Sequence, residues 1–296
     1  MTEAGSTLSV RGIQAADHLA YLRGPAAPSG ASFMQCPSWS AMRPGWRAES
    51  IGWFAGSELV GVGLVSYRDV PLVGALAYLA EGPVVDWDAL GAEAVTTALL
   101  EFLRHGRVFT VRMTPAVVLR RWQVSTLRAA VRSGAGGRLR DLPPDDVDGS
   151  VQRLVDALHA SGWTQYDAPA AGFGGRMHPR YRSHVPLASD TDPRERLDSS
   201  WRRNLRKAEA SRVTVRTGGI EDLTAFHRVY VETALRDGFP PLPVDYFERM
   251  MRDLAAEDPS RVDLYLAERE GHVHAGALAT RVGTEVSYVY GASSDS

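Results

Sequence analysis

The strongest constraint on the fold is a pattern that occurs twice. Alternating apolar positions run through Ser50–Phe54 and Leu59–Tyr67 around a Gly56-Ser57 turn, and the same strand, turn and strand recur across Leu264–Leu278 around Glu270-Gly271. A further strand follows each copy, Leu76–Leu79 and Val286–Tyr290, and each then meets a glycine, Gly82 or Gly291. The first copy continues into a helical stripe of Leu90, Val95, Leu99, Leu100 and Leu103 and a strand over Val108–Met113 closed by Pro115. The second reaches Ser296 directly after its third strand, which leaves a sheet face and an edge uncovered. The expectation is an α+β chain of two repeated domains, 1–189 and 190–296, the second incomplete at its C-terminus. Between the copies, Arg132–Ser150 reads as a Gly-, Pro- and Asp-rich loop and Val151–Ala160 as a helix. In the second half, Pro193–Ala210 reads as a basic helix, Val213–Arg216 as a strand, and Ile220–Leu235 and Asp245–Ala256 as helices.

Several functions are excluded early. No run of about 18 apolar residues is present and Met1–Val10 lacks a signal-peptide pattern, so the expected location is cytoplasmic, with no membrane span. The single cysteine, Cys36, rules out an internal disulfide and a cysteine-rich zinc site. A net charge of −2 means that a polyanion could be held only by a local patch. One patch stands out: Arg194–Arg216 carries eight basic residues against Glu195, Asp198 and Glu209. Walker, G-x-S-x-G, H-E-x-x-H and paired C-x-x-C motifs are absent. Gly61-Val62-Gly63 lies inside an alternating strand and lacks the third glycine of a dinucleotide turn. His272 and His274 fall on one strand face without a third ligand nearby, so no metal site is read.

A three-stranded meander that passes through a glycine into a helix resembles the core of GNAT-type acyltransferases. In that group a Q/R-x-x-G-x-G/A loop holds the pyrophosphate of acyl-CoA; here the stretch is Glu81-Gly82-Pro83-Val84-Val85-Asp86. Glu81, Asp86 and Asp88 repel a pyrophosphate and Pro83 removes an N–H donor. The chain as a whole resembles the FemABX family, aminoacyl-tRNA-dependent peptidyltransferases with two tandem GNAT-like domains. Phe33-Met34-Gln35-Cys36-Pro37-Ser38-Trp39 with Arg43 and Gly45-Trp46 is similar to the opening F-x-Q-S-x-x-W-x-x-x-K-x-x-G-W pattern. Tyr78–Val84 resembles Y-I-P-R-G-P-V, Phe109–Pro115 a strand ending in I-D-P, and Trp201–Ala208 the W-R-x-N-I-R-x-A helix. Thr233–Phe239 with Tyr246-Phe247 resembles T-x-x-R-x-G-F followed by Y-F, and Tyr288–Ser293 resembles Y-x-Y-x-G-A-S.

The resemblance implies roles for particular residues. Arg43 and Arg236 would hold the diphosphate of a UDP- or lipid-linked muramyl peptide, a task suited to bidentate guanidinium groups. Tyr288 and Tyr290, two apart on one strand, would share a face and contact the substrate. Thr114 stands where the family has an aspartate that orients the acceptor, and Glu81 where it has a basic residue. Phe109, in the place of a base-stacking tyrosine, reads as core. Arg202, Arg206 and Lys207 would meet the phosphates of the tRNA acceptor arm, with Arg203 on a different part of the helix surface.

The function so implied is transfer of an amino acid from aminoacyl-tRNA to an amine of a muramyl pentapeptide. The tRNA ester is already activated, so positioning and electrostatics suffice without a cofactor, a metal or a nucleophilic side chain, and no catalytic residue is assigned. A lipid-linked acceptor would add peripheral contact with a membrane. Three other readings make different demands: aminoacylation of a natural-product intermediate, CoA-dependent acyl transfer, and binding of tRNA or precursor without turnover.

Overall fold

The computed structural model describes residues 8–25, 27, 31–134, 137–165, 181–187 and 192–295. These fall into two compact units, Met1–Ser40 with Gly45–Asp167 and Ala41–Pro44 with Ala168–Ser296. The boundary read between residues 189 and 190 lies outside the described residues.

The first unit is a mixed sheet with helices on it. Its elements are β1 (Leu8–Gly12), α1 (Ala15–Arg23), β2 (Arg47–Ala55), β3 (Glu58–Val70), β4 (Gly74–Leu79), β5 (Val84–Val85), α2 (Trp87–Leu90), α3 (Ala92–Arg104) and β6 (Val108–Met113). A small outlying part follows, β7 (Arg120–Arg121), α4 (Val124–Arg132) and β8 (Asp146–Val147), and then α5 (Gly149–Ala160). The strand order is β1-β2-β3-β4-β6, antiparallel except for the parallel β4/β6 pair, and β5 pairs with β3. The apolar stripe of α3 buries Val95, Ala98, Leu99 and Leu103 against Ile51, Trp53, Val65 and Leu79. The Trp53 indole N–H donates to the Val95 carbonyl at 3.0 Å, so the largest core side chain is also satisfied. β1 and α4 are additions to what the sequence suggested. β1 is only five residues long and α4 turns Val124 and Val131 outward, so neither leaves a buried periodic stripe. Most of Arg132–Ser150 is loop as expected, with a 3-10 turn at Leu139–Asp141 and the short β8 strand within it.

The second unit repeats the plan. It comprises α6 (Ser199–Ala210), β9 (Thr214–Gly218), α7 (Leu223–Asp237), α8 (Val244–Glu257), β10 (Val262–Arg269), β11 (His272–Val282) and β12 (Glu285–Ser293), with an antiparallel sheet ordered β12-β11-β10-β9. The β2/β3 and β10/β11 hairpins are the two copies seen in the sequence. The first turns with a positive φ at Gly56, the second with positive φ at both Glu270 and Gly271, the requirement of a type I′ turn. α7 and α8 bury Phe226, Val229, Phe247, Met250 and Leu254 against Leu264, Leu266 and Leu278. Gly276 permits that packing, because a Cβ there would sit 2.7 Å from the Phe226 ring. The basic segment is broken where one helix was expected: Pro193–Arg196 is a 3-10 turn, and Asp198 restarts the chain as α6 by accepting from Ser200 and Trp201 N–H at 3.0 and 2.9 Å.

One buried group of the first unit makes stability depend on pH. His18 on α1 is fully buried, with Nδ1 2.9 Å from Ser50 Oγ and Nε2 without a hydrogen-bond partner among the described residues. Burial lowers its pKa from 6.5 to about 4. Above pH 6.5 the ring is neutral in folded and unfolded chains alike. As the pH falls from there toward 4, the unfolded chain takes up a proton that the folded unit refuses, and stability falls by about 3 kcal/mol in total. Denaturant unfolding of this unit between pH 7 and 4.5 should show that slope, and His18→Gln should flatten it; an unchanged slope in the variant would refute the assignment.

Candidate functional site

The motifs that are far apart in sequence meet within each unit. In the first, Gln35 is fully buried; its Nε2 donates to the Ala80 carbonyl at 2.6 Å and its Oε1 accepts the Leu64 N–H at 2.9 Å. The carboxamide therefore fills a stretch where β3 and β4 do not pair, since their ladder covers only 66–70 and 74–78. A Cβ on Gly82 would lie 2.5 Å from Gln35 Cδ, which explains a glycine there. Thr114 completes the knot: its Oγ1 accepts the Glu81 N–H at 2.8 Å and its own N–H donates to the Leu79 carbonyl at 3.1 Å. Thr114 thus ties the end of β6 to the chain leaving β4. Asp86 is likewise engaged, accepting from Asp88 and Ala89 N–H as the cap of α2.

In the second unit, α7, α8 and β12 bring the remaining motifs together. Gly238 ends α7 in the left-handed conformation, φ 74°, and turns the chain so that Phe239 packs on Tyr230 at 5.8 Å. Thr233 and Arg236 both reach Ser293 at the end of β12: Thr233 Oγ1 accepts the Ser293 N–H at 2.9 Å, and Arg236 Nη1 donates to the Ser293 carbonyl at 2.9 Å and to Asp295 at 2.8 Å. Asp295 and Asp237 make the Arg236 guanidinium still harder to deprotonate. Tyr290 packs edge-on against Phe247 at 5.1 Å and Tyr230 at 6.3 Å, and its hydroxyl lies 2.9 Å from that of Tyr246. Burial raises the Tyr246 pKa, while the Tyr290 hydrogen bond and the Arg43 charge oppose that rise; Tyr290 is raised by burial and by Tyr246. Arg43 lies in the Ala41–Pro44 stretch of this unit. Arg236 and Tyr290 accordingly belong to one helix-and-strand assembly, with Tyr246 as a member the sequence reading had not assigned a role, and Arg43 falls in the same unit.

Three expectations are corrected. Tyr288 and Tyr290 do not share a face, because the β11/β12 register shifts between Leu278 and Ala279 and Val289 is left without a partner. Tyr290 opposes Leu278 on the helix-covered face; Tyr288 opposes Ala279 on the other, is 72% exposed and lies across Gly291. Phe109 is 50% exposed rather than core, since β6 is the last strand of its sheet and the residues turned to α3 are Val108, Val111 and Met113. Arg203 is not set apart from Arg202, Arg206 and Lys207: at about 100° per residue it projects between Arg206 and Lys207 on the same arc of α6. All four are exposed, and the neighbouring Trp201 is 64% exposed, a flat aromatic surface beside guanidinium groups. His274 is turned toward β12, with Nδ1 3.3 Å from Ser294 Oγ. Among the described residues no cluster of three or more His, Cys, Asp or Glu could hold a metal ion, and no helix is long and apolar enough to cross a membrane.

Comparison with known proteins agrees with this arrangement of motifs. The UDP-N-acetylmuramoylpentapeptide-lysine N(6)-alanyltransferase of Weissella viridescens is 24% identical over 237 residues, which cover 77% of this chain and 59% of that protein. The chain thus matches less than two thirds of this relative's length. The crystal structure of FemX aligns with 97% of this chain and 81% of its own at 18% identity and a TM-score of 0.64. A tandem GNAT protein from the clavulanic acid biosynthesis pathway aligns with 97% and 79% of the respective chains at 12% identity and a TM-score of 0.44. The likeness to FemX establishes the α+β, tandem GNAT-like fold expected from the repeated meander. A profile of the FemAB family matches residues 25–268, a span that takes in the Gln35, Thr114 and Arg236 motifs, and the chain belongs to the FemAB family.

Proposed function

We propose that this chain transfers an amino acid from aminoacyl-tRNA to an amine of a peptidoglycan precursor peptide, a UDP- or lipid-linked muramyl pentapeptide. The observation that carries this reading is that Arg236 of α7 is held at the end of β12 while Tyr246 of α8 meets Tyr290 of the same strand, a guanidinium and two phenols suited to a diphosphate-linked acceptor, with Arg43 in the same unit. Family membership and the named activity of the Weissella viridescens relative support it. In the reaction the acceptor amine attacks the ester carbonyl of the charged tRNA; the new amide forms as the C–O bond to the terminal ribose breaks, and the amine proton leaves while the ribose oxygen regains one. The ester supplies the driving force, so the protein's part is alignment and stabilisation of the developing negative charge. A tRNA donor implies a cytoplasmic reaction. CoA dependence is disfavoured by the carboxylates of Glu81, Asp86 and Asp88, which repel a pyrophosphate, and by the engagement of Asp86 as the cap of α2.

The test is transfer of labelled amino acids from a total charged-tRNA pool to UDP-muramyl pentapeptide, with acetyl-CoA as the alternative donor. Label on the pentapeptide is expected; acyl transfer from acetyl-CoA with none from tRNA would overturn the reading. A companion measurement concerns α6. Replacing Arg202, Arg206 and Lys207 together with alanine should weaken tRNA binding and reduce the slope of log K against log salt by about 2, three phosphate contacts at roughly 0.7 each. An unchanged slope would remove these residues from the tRNA surface.

A further inference from the structure

The β3/β4 hairpin of the first unit turns through four apolar residues, Val70-Pro71-Leu72-Val73, all of them exposed. Leu72 is fully exposed and Val73 is 56% exposed. The Val73 N–H donates to the Val70 carbonyl at 3.1 Å, and with Pro71 second and Leu72 third at φ 66° the tip has the signature of a type II turn. That third position favours glycine or asparagine, because a branched side chain is crowded in the left-handed region. A leucine there is neither relaxed nor buried, so neither the turn nor the core accounts for it. The start of β6 lies against this tip. The Arg107 carbonyl accepts the Ala75 N–H at 3.1 Å, and a Cβ on Gly74 would sit 2.1 Å from that carbonyl oxygen and 3.7 Å from the Phe109 ring. The half-exposed Phe109 therefore extends the apolar surface. Arg68 on β3, Arg104 at the end of α3 and Arg107 before β6, all exposed, lie at the same end of the sheet. Of the described carboxylates nearest in sequence, Asp69 is paired with Arg47 at 3.5 Å and Glu101 sits a turn further back on α3.

We propose that this tip is a membrane-docking surface: Leu72 and Val73, flanked by Val70 and Phe109, enter the interface of an anionic bilayer while Arg68, Arg104 and Arg107 meet its lipid phosphates. A convex apolar tip with a basic rim fits that boundary, where apolar groups sink about 5–10 Å and arginine stays at the headgroups. A protein partner fits less well, since four turn residues expose far less than the ~800 Å² a side of a standard interface. β4 runs away from the tip for six residues, so the knot of Gln35 and Thr114 lies roughly 20 Å off and is left clear by the docking. The surface goes beyond the transferase reading. Combined with that reading, on which this last step rests, it makes the lipid-linked form of the muramyl peptide the substrate.

The experiment is flotation of the full chain with vesicles of phosphatidylcholine alone and of phosphatidylcholine mixed with phosphatidylglycerol. Binding to the mixed vesicles is expected, weakened by salt. Leu72→Asn suits the turn at least as well as leucine, so it should leave the melting temperature unchanged while weakening this binding about tenfold. Arg104→Ala should weaken it about fivefold, the effect of one basic residue near an anionic surface. Because Cys36 is buried, Leu72→Cys can be labelled alone with an environment-sensitive dye, whose emission should shift to the blue on the mixed vesicles. A wild type that binds neither vesicle, a Leu72→Asn variant that binds like the wild type, or a dye whose emission does not move would each overturn the surface. Loss of binding in the Arg202, Arg206 and Lys207 triple variant with none in Leu72→Asn would move the lipid contact to α6 and overturn it equally. None of these results touches transfer to UDP-muramyl pentapeptide in solution. Failure of the transferase reading is separate, and shows as absent transfer from a chain that still binds the mixed vesicles.

Discussion

Gln35→Leu is expected to destabilise the first unit by about 3 kcal/mol, without any contact to substrate having been removed. The leucine keeps the apolar volume but leaves the Leu64 N–H and the Ala80 carbonyl buried and unpaired, each at a cost of about 1–3 kcal/mol. That is a large part of the 5–15 kcal/mol by which a domain is usually stable, and at about 2–4 °C per kcal/mol in a unit of this size it should lower the melting temperature by roughly 10 °C. Gln35→Glu separates the two bonds. A carboxylate can still accept from Leu64 but repels the Ala80 oxygen, so this variant should recover stability as the pH is lowered and the acid protonates. Gly82→Ala should resemble Gln35→Leu, because the added methyl would occupy the space of the Gln35 carboxamide. Hydrogen exchange at Leu64 checks all three: wild-type protection in Gln35→Leu would show that the carboxamide is not what satisfies this strand.

The repeat was legible because hydrophobic alternation and turn chemistry are local. Gly56 and Glu270-Gly271 announce their hairpins, and the α3 stripe reads directly as a helix face. What escaped was information that is not local. Gln35 is 29 residues from one backbone partner and 45 from the other, so its motif was recognisable while its work in joining β3 to β4 was not. The bulge at Val289 leaves no trace in the alternating Tyr-Val-Tyr, and it alone sends Tyr288 and Tyr290 to opposite faces. Tyr246 was visible as part of a Y-F pair, but its meaning comes from a strand residue 44 positions later. Arg43 and Arg236 were found as motif members. What Arg236 does is equally non-local, since it bonds Ser293, 57 positions later.

Arg236→Ala should reduce kcat/KM for transfer to UDP-muramyl pentapeptide by about 100-fold, the loss of a charge-assisted contact worth about 1.5–3 kcal/mol. The guanidinium is already oriented, because its bonds to Ser293 and Asp295 hold it at the end of β12. Arg236→Lys keeps the charge but not the fork that lets one side chain serve β12 and a ligand together, and should retain about a tenth of the activity. Structural loss can be told apart from lost binding through Thr233. This residue anchors α7 to the same serine without carrying charge, so Thr233→Val should loosen β12 and lower the melting temperature while leaving UDP affinity within about threefold. Asp295 gives the opposite sign. It competes with an incoming anion for Arg236, so Asp295→Asn should lower KM for the precursor by a few-fold. If Arg236→Ala transfers amino acids as fast as the wild type, the diphosphate role fails; if it loses activity only as far as Thr233→Val does, Arg236 is a strut for β12 and not a ligand-binding group.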